Sequence, residues 1–221
     1  MERILISNLL DTEKTIAKDI FSDKEYPFEI LAELSDFIIK LGKTLSKDKF
    51  EEVKPNVWIS KSATVFNSAY IAGPCIIDED AEVRHCAFIR GSVIIGKGSV
   101  VGNSTEVKNS LIFDSVQIPH YNYVGDSVLG YKSHLGAGSI TSNVKSDKSN
   151  VVIKVHEKAL KTGRKKVGAI VGDFVEVGCG SVLNPGTVIG RNSNVYPLSS
   201  VRGYVDENSI YKAKGEIVLK K

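Results

Sequence analysis

Large aliphatic residues recur at every sixth position over much of the chain, and the residue four positions after each of them is mostly small. The first series has ten consecutive members without a polar residue: Ile59, Val65, Ile71, Ile77, Val83, Ile89, Ile95, Val101, Val107 and Phe113. The period returns later as Val171, Val177, Leu183, Ile189, Val195 and Val201. An α-helix repeats every 3.6 residues and a strand every two residues, so a period of six predicts short strands separated by tight corners.

Three such sides would close one coil of 18 residues, with one aliphatic side chain per side pointing inward. Successive coils would stack by parallel strand pairing at about 4.8 Å. The predicted fold class is therefore an all-β solenoid, a parallel β-helix of hexapeptide repeats. After Phe113 the inward positions become Ile118, Val124, Leu129 and Leu135, which include two steps of five residues and predict irregular coils.

Two segments lack the period of six. Residues 1–53 instead carry a helical apolar pattern, which predicts an N-terminal helical cap over the first coil of a β-helix domain at 54–221. The pattern consists of Ile30, Leu31, Leu34, Phe37, Ile38 and Leu41. Residues 144–168 form a loop excursion with seven Lys and one Arg against two acids, a net charge of +6. Such a loop could bind anions or simply be a solvated surface loop.

Composition narrows the functional classes. The 221 residues are 42% apolar with a formal charge of +3, which argues against a disordered or fibrous chain. No apolar stretch is long enough to span a membrane and no signal-peptide cleavage site follows Met1, so we expect a cytoplasmic protein without a membrane partner.

Cys75, Cys86 and Cys179 lack the spacing of a disulfide framework or zinc ribbon. The basic segment lacks interleaved aromatic residues, so we expect no nucleic-acid partner.

A group of residues suited to acid–base chemistry falls near the irregular coils. Arg90 and Lys108 are 18 residues apart, so their side chains should lie in one column, where two cations repel unless an anion such as phosphate lies between them. Glu106 and Tyr123 precede inward positions and should stack in an adjacent column, with His120 on the same short side as Tyr123. This set is typical of a general-base site for an anionic substrate, although exposed cations and a surface histidine are the simpler reading.

Four segments carry a resemblance to a known family. They read VGNSTEVK (101–108), PHYNYVGD (119–126), LGAGSITSN (135–143) and TGRKKVGAIVGD (162–173). Together they resemble the acetyltransferase domain of the bifunctional N-acetylglucosamine-1-phosphate uridyltransferase family, and the last segment is similar to its archaeal branch. The resemblance covers about residues 54–205. Nothing in the sequence matches the nucleotidyltransferase domain of that family, so we expect no nucleotidyltransferase chemistry from it.

The resemblance implies a left-handed β-helix, a homotrimer, and a role in UDP-N-acetylglucosamine biosynthesis. It implies an acetyl-CoA-dependent N-acetyltransferase acting on an amino-sugar phosphate similar to glucosamine 1-phosphate. By match, His120 is the general base and Glu106 orients it. The matched substrate-binding residues are Arg90, Lys108, Tyr123, Asn143 and Lys166. Acetyl-CoA, the co-substrate, would contact Arg164, Lys165, Gly138, Gly178 and Cys179.

The chemistry also needs a donor for the tetrahedral oxyanion, and the turn from Gly136 to Gly138 could supply a backbone N–H. His134 stands where the family usually has Asn, so the exact sugar is an open point.

Two other functions remain. A zinc-dependent γ-carbonic anhydrase would use three histidines, but His85, His120, His134 and His156 lack its close pair, so no metal is predicted. The stronger alternative is a non-catalytic scaffold that binds sugar nucleotides, related to UDP-N-acetylglucosamine pyrophosphorylase. Such a scaffold could also assemble with a separate nucleotidyltransferase.

Overall fold

The computed structural model describes residues 1–212 and 217–219. Its first 49 residues contain the helices α1 (Ile6–Leu9) and α2 (Leu34–Gly42). Four 3-10 helices accompany them, at Glu2–Ile4, Thr12–Lys14, Lys18–Phe21 and Pro27–Ala32. The rest of the described chain consists almost entirely of short strands and corners.

The strands follow in chain order. They are β1 (Phe50–Lys54), β2 (Val57–Ser60), β3 (Thr64–Val65), β4 (Tyr70–Ile71), β5 (Cys75–Ile77), β6 (Glu82–Val83), β7 (Phe88–Ile89), β8 (Val93–Ile95), β9 (Val100–Asn103), β10 (Glu106–Lys108), β11 (Ser110–Ile112), β12 (Gln117–His120), β13 (Tyr123–Gly125), β14 (Val128–Leu129), β15 (His134–Leu135), β16 (Ile140–Thr141), β17 (Val152–Val155), β18 (Lys158–Lys161), β19 (Ala169–Val171), β20 (Glu176–Val177), β21 (Val182–Leu183), β22 (Thr187–Ile189), β23 (Asn194–Val195), β24 (Ser200–Val201), β25 (Tyr204–Val205), β26 (Ser209–Tyr211) and β27 (Ile217–Leu219).

Three sheets form the sides of a prism. Wall 1 has the order β1-β2-β5-β8-β11-β14-β19-β22-β25, wall 2 runs from β3 to β27, and wall 3 runs from β4 to β24. Strands on one wall pair in parallel with the equivalent strands of neighbouring coils, while β1 and β27 pair antiparallel at the ends. The inward aliphatic side chains, such as Ile77, Ile95 and Val107, are fully buried. The predicted β-solenoid, a left-handed parallel β-helix of hexapeptide repeats, is confirmed.

The period of six fails one residue earlier than predicted. Ile112, not Phe113, pairs with Ile95 and occupies the inward register of wall 1. The steps of five residues therefore fall between Val107 and Ile112 and at the equivalent corner one coil later. The prediction for Phe113 was wrong because the corner from wall 3 to wall 1 is one residue shorter in these coils. Phe113 is still buried, and its ring lies 5.9 Å from that of Phe21 in the N-terminal segment.

The N-terminal segment, residues 1–49, runs along the outside of wall 1 from the last coils back to the first; we call it the strap. Its Asp11 N–H donates to Asp173 at 2.8 Å, and its Lys14 carbonyl accepts from the Asp114 N–H at 3.0 Å. At its other end the Lys49 carbonyl accepts from the Lys61 N–H at 2.8 Å. The segment thus lies along the whole prism, whereas a cap over the first coil was expected.

The outer face of wall 1 explains this placement. Besides the inward side chains, its strands carry aliphatic residues that alternate to the outside and are nonetheless buried: Ile76, Ile94, Leu111, Val128, Ile170 and Val188. The strap covers most of them. The loop excursion covers the rest with an antiparallel hairpin of β17 and β18, whose β17 contacts β22 and β25. Wall 1 is therefore buried on both faces.

Among the described residues, no helix has both the length and the apolar character needed to cross a bilayer.

Candidate functional site

The outer face of wall 3 carries the first part of the predicted site. Glu106 lies in register between Phe88 and Tyr123 on the neighbouring coils. Arg90, at the corner after β7, reaches this column, and its Nη1 donates to Glu106 Oε1 at 2.7 Å. The Arg90 guanidinium also lies 5.8 Å from the centre of the Phe88 ring. The hydrogen bond from Arg90 to Glu106 raises the pKa of the arginine above its usual value.

The second part centres on Asp126, a residue that sequence reasoning missed. Its buried carboxylate accepts from Lys108 Nζ at 3.0 Å, from Asn109 Nδ2 at 2.8 Å and from Asn143 Nδ2 at 2.5 Å. Asn143 Nδ2 also lies 3.2 Å from the Tyr123 hydroxyl. The structure therefore brings Lys108, Tyr123 and Asn143 together as predicted. An acid 18 residues after Lys108, the coil length that the sequence predicts, was the signal that could have identified Asp126.

Partial burial raises the pKa of Tyr123, and the nearby carboxylates of Glu106 and Asp126 raise it further. The phenol therefore stays protonated at neutral pH and can donate as well as accept a hydrogen bond. This suits a residue that contacts sugar hydroxyls.

The two stacked cations are each paired with a carboxylate. Arg90 pairs with Glu106 and Lys108 with Asp126, so the four groups sum to zero charge and their stacking does not by itself require a bound anion. Both cations keep further N–H groups beyond these bonds, because a guanidinium has five donors and an ammonium has three. A phosphate could bind to those remaining donors.

His120 lies at the end of β12, at the edge between wall 2 and wall 3. Its main-chain N–H donates to Asn122 Oδ1 at 3.1 Å and its carbonyl accepts from the Gly138 N–H at 2.9 Å. Its exposed imidazole makes no hydrogen bond to the described residues. Glu106 bonds to Arg90 instead of His120 because the guanidinium is a charged donor on the same wall, whereas His120 precedes the corner. Within a single chain, therefore, the predicted general base His120 does not contact the predicted acid Glu106.

The turn from Gly136 to Gly138 has one open amide. The Gly136 N–H donates to the Val177 carbonyl at 2.7 Å, and the Gly138 N–H is bonded to His120. The Ala137 N–H has no acceptor within the described residues. If this turn stabilises an oxyanion, Ala137 is the residue that can donate.

The predicted coenzyme-binding residues fall on different edges of the prism. Gly138, Gly178 and Cys179 lie along the edge between walls 2 and 3, where a Cβ on Gly178 would sit 2.4 Å from the Pro197 nitrogen. Arg164 lies on the strap side, where its Nη2 donates to the Leu31 carbonyl at 3.3 Å. Within a single chain, therefore, Arg164 lies on a different edge from Gly138 and Gly178.

The remaining predicted basic residues lie where the excursion returns to the coil. Lys165 and Lys166 are exposed, and Lys166 forms an isolated bridge with Val144. Neither side chain makes a hydrogen bond within the described residues.

The structure also contains a contact between a histidine and a glutamate that was not predicted. On wall 2, His134 Nδ1 lies 2.7 Å from Glu176 Oε2, its neighbour in register on the next coil. In the described part of the chain, no three His, Cys, Asp or Glu residues are grouped so that they could hold a metal ion.

Comparison with known proteins agrees with this architecture. The "Bifunctional protein GlmU" of Methanococcus maripaludis (strain C5) is 34% identical over 204 residues, 91% of this chain and 49% of its own length. The "Bifunctional sugar-1-phosphate nucleotidylyltransferase/acetyltransferase" of Sulfurisphaera tokodaii is 33% identical over 232 residues, 96% of this chain and 57% of its own length. The chain thus spans about half the length of these relatives. The resemblance found in the motifs is confirmed.

The fold and the polar column on wall 3 define a β-helix protein of the hexapeptide-repeat class. The sequence model of the family described as "GMPPB C-terminal domain" matches residues 71–205, and the chain belongs to that family.

Proposed function

We propose that the protein is an acetyl-CoA-dependent N-acetyltransferase whose acceptor is an amino-sugar phosphate similar to glucosamine 1-phosphate. The observation that supports this most is the pair of linked contacts on wall 3. Arg90 with Glu106, and Lys108 with Asp126, Asn143 and Tyr123, set two cations, a phenol and an amide side by side on one exposed face. A sugar phosphate needs this combination of phosphate and hydroxyl partners.

In the proposed reaction, the imidazole of His120 takes a proton from the ammonium group of the sugar. The amine nitrogen then attacks the thioester carbonyl carbon, and the Ala137 N–H donates to the oxyanion that forms. The C–S bond breaks as the oxyanion collapses, the nitrogen of the new amide releases its remaining extra proton to water, and the thiolate of coenzyme A receives a proton from the imidazolium. Arg90 and Lys108 hold the phosphate so that the amine stays in position for attack.

We also propose that the working form is a homotrimer. The candidate coenzyme residues lie on two edges of the prism, and His120 lacks an acidic partner within the described chain. A neighbouring copy that presents a different edge would supply both. The relatives named above are about twice as long as this chain and are named as bifunctional proteins. Their second activity is therefore not ascribed to this chain.

The test is thiol release from acetyl-CoA in the presence of glucosamine 1-phosphate. We expect turnover by the wild type and a loss of at least 100-fold in kcat for His120→Ala, the scale of general-base contributions. His85→Ala is the matched control, because His85 is also exposed and lies at the same edge two coils earlier. Turnover that is unchanged in His120→Ala would refute the role of this histidine.

The second candidate is a non-catalytic scaffold that binds sugar nucleotides or a separate nucleotidyltransferase. It is favoured by the imidazole of His120, which has no orienting partner within the described residues. Wild-type protein that binds UDP-N-acetylglucosamine in calorimetry but neither binds nor consumes acetyl-CoA would support the scaffold and refute the enzyme.

A further inference from the structure

A cation-lined cavity lies along the same edge of the prism as Lys108, and its far end at Arg202 is four coils from Lys108. The column that contains Arg90 and Lys108 continues along the edge between wall 3 and wall 1 through Ser142 and Asn184 to Arg202. Four strand spacings separate Lys108 from Arg202, about 19 Å. The cavity at that end has a volume of about 520 Å³.

The start of the loop excursion, the strand β17 and two late corners enclose this cavity. Its polar lining consists of Ser142, Lys145, Ser146, Asp147, Lys154, Asn184 and Arg202, and its apolar lining includes Val144, Val152 and Pro185. We call it the edge cavity. Its size is within the range of small-molecule sites.

The hairpin is pressed onto the coil at the edge cavity. Gly203 has φ +75°, and a Cβ there would meet the Lys154 carbonyl oxygen at 3.1 Å. The glycine thus permits a close approach that holds Lys154 beside the corner of Arg202. Backbone packing of the hairpin against the coil therefore places Lys154 close to Arg202.

The charges in the edge cavity do not cancel. Lys145 Nζ pairs with Asp147 Oδ2 at 3.3 Å, which leaves two cations, Lys154 and Arg202. Within the described residues, neither of these side chains has a hydrogen-bond or ion-pair partner. Two like charges that share a cavity repel each other, and a dianion between them would reverse the sign of that interaction.

We propose that the edge cavity binds an organic phosphate, with the phosphate between Lys154 and Arg202 and the body of the ligand on Val144, Val152 and Pro185. The Asn184 side chain donates to the Val201 carbonyl at 2.8 Å and to Ser200 Oγ at 3.0 Å, so its own carbonyl oxygen is directed away from that bond and can accept from a ligand hydroxyl. The site does not depend on the proposed acetyl transfer.

The first experiment is calorimetric titration with sodium pyrophosphate at low ionic strength. We expect saturable binding by the wild type and at least tenfold weaker binding by Lys154→Gln/Arg202→Gln, because both charged donors are lost. The matched control Lys43→Gln/Lys161→Gln removes the same charge outside the cavity and should change binding less than twofold.

Two results would overturn the proposal: no saturable binding by the wild type, or equal binding by the two double variants. Because the two substituted side chains are exposed and make no hydrogen bond or ion pair with the described residues, loss of folding is not expected, and thermal unfolding of each variant checks this. Amide shifts of Ser146 and Gly203 on addition of pyrophosphate give an independent readout.

A competition experiment separates two sources of the phosphate. Displacement of pyrophosphate by 3′,5′-ADP would support the site and identify a nucleotide such as the tail of a coenzyme. Displacement by glucose 1-phosphate alone would support the site and identify a sugar phosphate. Displacement by neither would overturn the assignment to an organic phosphate.

Discussion

Lys108 and Asp126 are joined across one coil of the β-helix by an ion pair of 3.0 Å, and the carboxylate of that pair is almost fully buried. Asp126 also holds both ends of the loop excursion, since its side chain accepts a hydrogen bond from Asn143 where the loop leaves the coil. Its carbonyl accepts from the Gly168 N–H at 2.8 Å where the loop returns. Asp126 therefore couples the geometry of the candidate phosphate site to that of the basic loop.

Replacement of this carboxylate should be costly. Asp126→Asn removes the charge that faces Lys108, and a partly buried ammonium is left without its counter-ion, so we expect the free energy of unfolding to fall by about 3 kcal/mol. Urea denaturation measures this. Glu13→Gln, which breaks the exposed pair with Lys18, is the control and should leave stability almost unchanged. Equal effects in the two variants would contradict the role given to Asp126.

Arg90→Gln should separate binding from stability. Loss of a charge-assisted contact to the substrate phosphate should raise KM for glucosamine 1-phosphate at least tenfold, with little change in kcat. The exposed pair with Glu106 contributes little to folding, so the melting temperature should hardly change. Arg84→Gln breaks a similar pair with Glu82 on wall 2 and should leave KM unaltered. A KM that is equally insensitive to both substitutions would remove Arg90 from the site.

Asp114 should make stability depend on pH. Partial burial raises its pKa from 3.8 to about 6. The folded state therefore holds this proton more tightly than the unfolded chain, so the stabilisation is complete below the unfolded pKa and is lost as pH rises through about 6. Because the group is about half buried, we expect a loss of about 1–2 kcal/mol over this window.

Asp114→Asn should flatten this dependence, and its thermal unfolding measured from about pH 4 to pH 7 would show a smaller decline than that of the wild type. The exposed Asp80→Asn provides the control and should retain the wild-type slope. Identical slopes in all three proteins would show that Asp114 titrates normally.

Two glycine substitutions should differ sharply. A Cβ on Gly102 would lie 1.6 Å from the Pro119 carbonyl oxygen of the next coil, so Gly102→Ala must displace backbone and should destabilise the fold by more than about 3 kcal/mol. Gly163 has φ +69°, but a Cβ there would meet no atom within 4 Å, so Gly163→Ala should cost only about 1 kcal/mol of backbone strain. Chemical denaturation of both variants measures the difference, and a milder effect at Gly102 would argue against such tight stacking.

The period of six was sufficient to predict the walls because the interior of each coil accepts one large aliphatic side chain per side. It could not place the short corner before Ile112, since both Ile112 and Phe113 are apolar and only strand pairing distinguishes them. The column of Arg90 and Lys108 followed from the coil length in the same way. The carboxylates that pair with Arg90 and Lys108 could not be predicted from the coil length, because several side chains on one column compete for the same carboxylate.

The strap was hidden for a different reason. Adjacent aliphatic pairs on wall 1, such as Ile76 with Ile77 and Ile94 with Ile95, were visible in the sequence and indicate strands that are covered on both faces. They do not say what covers them. The helical pattern of residues 30–41 likewise showed an apolar stripe without its docking surface, and only the contacts of Asp11, Lys14 and Lys49 with distant coils reveal the path.

In a simple solenoid each repeat touches only its neighbours, so the ends can fray while the middle stays folded. Here the strap spans the repeats from Asp173 to Lys61, and its removal from one coil would expose aliphatic residues on several others. Loss of the first coils and loss of the last coils are thereby linked in one transition. The strap converts a linear array of nearly independent repeats into a single cooperative folding unit.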